Sequence, residues 1–87
     1  MKVKKLVIKA LYSLNEEYIP FPQNPLHGTT YENVDVEIGK RIETIGSNSY
    51  AIDVITINGQ EPIECELVSR HMDANGTLTL KICQDWG

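Results

Sequence analysis

The 87-residue chain, with 41% hydrophobic and 23% charged side chains, has the length and composition of one small domain spanning 1–87 and is too apolar to stay disordered. Its formal charge of −4 disfavours nonspecific affinity for phosphate backbones, and no apolar run reaches a membrane-spanning length. Two cysteines, Cys65 and Cys83, are too few for a disulfide framework, and no secretory leader pattern is visible, so the expected setting is cytoplasmic.

The first segment alternates. Leu6, Ile8, Ala10, Tyr12 and Leu14 share one parity, which predicts a strand from about Lys2 to Leu14. A helical spacing also exists through Leu6, Ala10, Leu14 and Tyr18, but it would place four lysines at the positive end of the helix dipole and Glu16-Glu17 at the negative end. Lys2, Lys4, Lys5 and Lys9 are half of the eight basic residues, and positions 10–87 carry four basic against twelve acidic side chains. A basic arm for nucleic acid is one reading of that asymmetry. A strand whose lysines meet acidic neighbours is the simpler one. Lys5 and Lys9 would match Asp53, Glu64 and Glu66 if this strand joined the sheet beside residues 49–57.

Ile19-Pro20-Phe21-Pro22-Gln23-Asn24-Pro25-Leu26-His27-Gly28 follows. Its prolines exclude a helix or a central strand and predict an extended connection. Tyr18, Ile19, Phe21 and Leu26 make it apolar, so it either covers an edge of the core or offers a docking surface.

Residues Tyr31 to Ile45 fit a helix. Tyr31, Val34, Ile38, Ile42 and Ile45 recur at spacings of three and four, Thr29 with Glu32 resembles a capping box, and Gly46 is a natural stop. Val34, Val36 and Ile38 also alternate as a strand would, and Gly39 costs a helix about 1 kcal/mol relative to alanine. The helix is the expectation.

From about 49 to 86 the period is two. Asn58-Gly59 and Asn75-Gly76 punctuate it, and Asn-Gly suits a type I′ hairpin turn. Two-residue turns at both places put Val54 opposite Ile63, Ile52 opposite Cys65, Tyr50 opposite Leu67, Ser69 opposite Ile82, His71 opposite Leu80 and Cys65 opposite Trp86. The expected inner face is then Tyr50, Ile52, Val54, Ile63, Cys65, Leu67, Leu78, Leu80, Ile82 and Trp86, with Ile55 and Ile57 outside. A three-residue loop over 74–76 would reverse the parity of the last strand and is disfavoured on that ground.

The fold expected is α+β: an N-terminal strand, a proline-rich loop, one helix, and a C-terminal three-stranded antiparallel meander. No catalytic, metal or cofactor signature is present. Cys65 and Cys83 fall on opposite faces without paired ligand spacing, and a buried thiol such as Cys65 is usually a packing residue. His27 and His71 are more simply structural than catalytic. The functional expectation is a noncatalytic protein–protein interaction module, a small subunit, adaptor or inhibitor of the kind bacteria and phages encode. Its partner would be another protein or a second copy, and Tyr18, Phe21, Leu26, Ile55 and Ile57 would bind it. A small nucleic-acid- or ligand-binding domain using the basic first strand is the alternative.

Overall fold

The computed structural model describes residues 1–84. Among these there is no helix: six strands, β1 (Lys2–Leu14), β2 (Glu17–Pro20), β3 (Thr30–Ile45), β4 (Asn48–Ile57), β5 (Ile63–Met72) and β6 (Thr77–Cys83), account for the regular structure. The α+β expectation is therefore corrected to an all-β fold. Strands β1, β3, β4, β5 and β6 pair in that order, and a parallel β1–β6 ladder running from Lys5↔Thr77 to Leu11↔Cys83 closes the barrel. β2 pairs with Leu11–Leu14 of β1, on the side away from β6, where β3 has already left.

The expected helix is β3, and the reason lies at Asn33. This residue has φ 52°, and the β1–β3 ladder skips the Lys4/Asn33 position. The kink lets Tyr31 and Val34, three residues apart, both face the core, as Val3 and Leu6 do on β1. Beyond it Val34, Val36 and Ile38 alternate inward in the ordinary way. Ile42 and Ile45, which completed the helical spacing, are 66% and 65% exposed and lie outside the core. Six β-branched side chains among residues 34–45 then favour the extended chain. Gly46, expected to end a helix, has φ 62° and opens a two-residue hairpin turn between Ile45 and Asn48, the place where a type II′ turn requires glycine.

The meander β4-β5-β6 is present, but both of its registers differ from expectation. Asn58 and Gly59 do take positive φ and Gln60 N–H bonds to the Ile57 carbonyl. Pro62 then has no N–H for the ladder, and β5 re-enters late, with Ile55↔Ile63 and Asp53↔Cys65. That one-residue slip turns Asp53, Ile55 and Ile57 inward and moves Tyr50 and Val54 off the inner face. At the second turn, Asp73 N–H bonds to the Thr77 carbonyl, so Ala74–Gly76 form the three-residue loop that parity disfavoured. Gly76, at φ 82°, supplies its left-handed residue. Parity is restored by a bulge between Leu67 and Ser69, which returns Leu67 opposite Ile82. His71, expected inside, pairs with Thr79 and is exposed. The Cys65–Trp86 pairing and the inward Trp86 lie outside the described residues.

The core fills the barrel. Leu6, Ile8, Val36, Ile55, Cys65, Leu80 and Ile82 are all at most 1% exposed, and they come from all five barrel strands, so no strand can be removed without opening it. The proline-rich segment folds back on β1. Phe21 N–H bonds to the Ala10 carbonyl, Gly28 N–H to the Ile8 carbonyl and Ile8 N–H to the Thr29 carbonyl. It thus fills the gap along β1 between β2 and β3. β1 joins neither face of β4, so the pairing expected between Lys5 or Lys9 and Asp53, Glu64 or Glu66 does not form.

Candidate functional site

Two ladders end early, and together they create the most distinctive region of the surface. β4 and β5 pair only from Asp53↔Cys65 to Ile55↔Ile63. Beyond Asp53, residues 48–52 of β4 stay with β3, while residues 69–72 of β5 turn away with β6. The β3–β4 hairpin therefore leaves the barrel as an arm.

Asp53 sits where the strands part. It faces inward, is buried to 9% exposure, and accepts from Lys40 Nζ at 2.6 Å and from the Leu67 N–H at 2.7 Å. In a regular ladder the Leu67 N–H would go to the backbone of Ala51. The carboxylate substitutes for that carbonyl, ends the ladder, and satisfies the bulge in β5. Burial pushes the Asp53 pKa up, but Lys40 and the Leu67 N–H outweigh it and hold the carboxyl below its ordinary value.

The space beside it is a cleft of about 440 Å³ lined by Ile38, Gly39, Lys40, Asp53, Leu67 and Arg70. Arg70 pairs with inward-facing Leu80, so its side chain lies on the cleft side. Among the described residues it has no ion-pair partner within 4 Å, whereas Arg41 on the arm's other face is engaged by Glu43 and Glu64. Chemically the cleft offers one uncommitted guanidinium above an apolar floor.

The arm carries Ile42 at 66%, Ile45 at 65% and Tyr50 at 45% exposure. Ile45 and Tyr50 share one face of this two-stranded projection, and Ile42, opposite Ala51, lies on the other.

The residues expected to bind a partner scatter. Ile55 and Ile57 are in the core at 0% and 8% exposure, a correction that follows from the register slip after Asn58-Gly59. Leu26 packs against the core, and Phe21 meets Tyr12 edge-to-face at 5.6 Å. Tyr18 is 43% exposed, and its hydroxyl donates to Glu66 Oε1 at 2.9 Å. That bond crosses the outer face on which Leu11 and Cys83 are buried. Tyr18 alone of the five retains a large exposed surface.

The candidate chemical groups are held as packing or as structure. Cys65 is 0% exposed, and burial, followed by nearby Asp53, pushes its thiol up to about 12. His27 Nδ1 accepts the Ala10 N–H at 3.0 Å, pinning the proline-rich segment to β1. No three His, Cys, Asp or Glu among the described residues are grouped to hold a metal ion, and no helix is long and apolar enough to cross a membrane. The lysines of β1 are divided: Lys2 lies opposite Asp35, Lys5 opposite Glu32, and Lys9 beside Lys81.

Neither the arm nor the cleft follows from the sequence, since the spacing of β3 predicts a helix and the parity of β4 predicts Asp53 on the outer face. In β4 each parity carries three apolar side chains, Tyr50, Ile52 and Val54 against Ala51, Ile55 and Ile57, and Asp53 on the second parity favours the wrong face, so only the turn could correct it. The signal available was Pro62, which prevents the ladder from continuing directly out of the Asn58-Gly59 turn. Compared with known proteins, the chain matches no protein family, no curated protein and no solved structure.

Proposed function

We propose that the protein is a noncatalytic protein–protein interaction module whose contact element is the β3–β4 arm. The observation that carries this reading is the exposure of Ile42, Ile45 and Tyr50 on a projection that contributes little to the core. An 87-residue chain has few apolar side chains to spare, and leaving three of them largely outside the core fits a surface that is covered on binding. The proline-rich segment, with its hydrogen bonds to β1, serves as a wall of the barrel in this reading.

The test is site-specific photo-cross-linking in the native host, with the photoreactive residue replacing Ile45 in one variant and Lys9, on β1, in another. The reading expects protein adducts from position 45 and few from position 9. No adduct at position 45, or equal yields from both positions, would contradict it.

A further inference from the structure

We infer that the arm pairs with a second copy of this chain, edge to edge through residues 48–52 of β4, to form a two-fold dimer with a continuous four-stranded sheet. This deepens the interaction reading above by naming the partner, and it rests on the arm being the contact element.

The direction of the backbone groups carries the inference. Asn58 N–H bonds to the Asp35 carbonyl, and Val36 N–H bonds to Met1, so Asp35 faces β4 and its neighbour Val36 faces β1. Antiparallel alternation then turns the N–H and C=O of Tyr50 and Ile52 toward β3, and those of Ser49 and Ala51 away from it. In the barrel that outward side would belong to β5. Because the β4–β5 ladder stops at Asp53 and the Leu67 N–H is taken by the Asp53 carboxylate, Ser49 and Ala51 have no strand partner among the described residues.

The edge so exposed is self-complementary. A two-fold axis at Tyr50 places Ser49 of each copy opposite Ala51 of the other, and both residues on both chains then exchange their N–H and C=O groups. No other centre on this stretch satisfies all of them together. Tyr50 of each copy meets Tyr50 of the other as a non-hydrogen-bonded pair, the geometry in which side chains approach most closely. On the same face Ile45 of one copy falls in the row of Ile52 of the other.

Charge and composition favour a second copy over an unlike peptide. Two molecules of net charge −4 repel, and they can meet only along a neutral strip. Asn48-Ser49-Tyr50-Ala51-Ile52 is such a strip, with no charged residue, while Glu43 of each copy stays two strands removed from the other. The edge also lacks the devices that keep sheet edges apart: it has no lysine, no proline and no bulge. The contact is small beside the roughly 800 Å² per partner of a stable complex, so the dimer is weak and concentration-dependent.

Sedimentation equilibrium of the full chain, from micromolar to millimolar concentration, reads the association. The mass should rise from 9.8 kDa toward twice that value, and Tyr50→Lys, which sets two ammonium groups opposite each other, should lose the rise. Oxidative cross-linking reads the register: Tyr50→Cys should form a disulfide dimer readily and Asn48→Cys, which faces Ile52, should not. A wild-type mass that stays monomeric at millimolar concentration overturns the dimer. So does a rise that survives Tyr50→Lys, or cross-linking as fast from position 48 as from position 50. If the chain is monomeric while Ile45 still cross-links an unlike protein in the host, the dimer fails and the interaction reading stands.

Discussion

The Asp53 carboxylate accepts from Lys40 Nζ and from the Leu67 N–H, and both bonds are lost together when it is removed. Asp53→Ala leaves the Leu67 N–H without an acceptor beside a buried core, a loss of about 1–3 kcal/mol, to be read from the midpoint of urea denaturation. Asp53→Asn keeps an acceptor for Leu67 and should cost less. The pH dependence has the same origin. Asp53, Asp73 and Asp35 are each held below the ordinary aspartate value of 3.8: Asp53 by Lys40 and Leu67 against its burial, Asp73 by the N–H groups of Thr77 and Asn75, and Asp35 by the terminal ammonium. A depressed native pKa means that the unfolded chain binds protons first as pH falls. Stability is therefore fully present above the ordinary value and declines as pH drops through the native ones. Thermal melts between pH 7 and pH 2, where ordinary carboxylates titrate, should show a flat region and then a fall below about pH 4. Asp53→Asn should make that fall shallower. None of this was legible at Asp53, because its role depends on which way β4 faces. At Cys65 the sequence was enough: an apolar-parity cysteine on an alternating strand is a packing residue, and the structure buries it completely.

At the scale of elements, turn chemistry decided what periodicity left open. Alternation identifies β1, β5 and β6 as strands and places Leu6, Ile8, Ala10, Cys65, Leu78, Leu80 and Ile82 inward, but it fails at Leu14 and, beyond the β5 bulge, at His71, both of which are exposed. In β3 the kink at Asn33 produced a helix-like spacing, and in β4 two apolar parities left register to the turn. The hairpin joining β1 and β2 had no sequence signal of the usual kind: Asn15 and Glu16 both take positive φ, 51° and 66°, where Asn-Gly is preferred. Glu16 is strained there, since left-handed backbone costs a non-glycine residue about 1–2 kcal/mol. Glu16→Gly should recover part of it, a gain of about 0.5–1 kcal/mol after the entropy of the added glycine, measured by the same urea midpoint. Gly46→Val, at φ 62° in the arm turn, should instead fray the hairpin. Loss of protection at the neighbouring amides of residues 44–50, with little change in the global midpoint, would show this.

The whole molecule is a barrel closed by one parallel seam and extended by one arm, and its dimensions of 43 × 27 × 21 Å reflect that division. The seam holds the core together: Leu80 lies beside Ile8 in it, and both are fully buried. Leu80→Ala should cost about 2–5 kcal/mol, a large fraction of the ~5–15 kcal/mol available to a domain. Ile42→Ala on the arm should change stability by less than about 0.5 kcal/mol, and so separates binding from folding. Along the arm, β4 is paired on one edge and open on the other. Residue-resolved amide hydrogen exchange, by NMR on a dilute sample, measures this directly. Amides at Tyr50 and Ile52 should be protected, those at Ser49 and Ala51 should exchange fast, and those two alone should slow as concentration rises. Equal protection at all four positions in the dilute monomer, or none at Tyr50 and Ile52, would contradict this pairing.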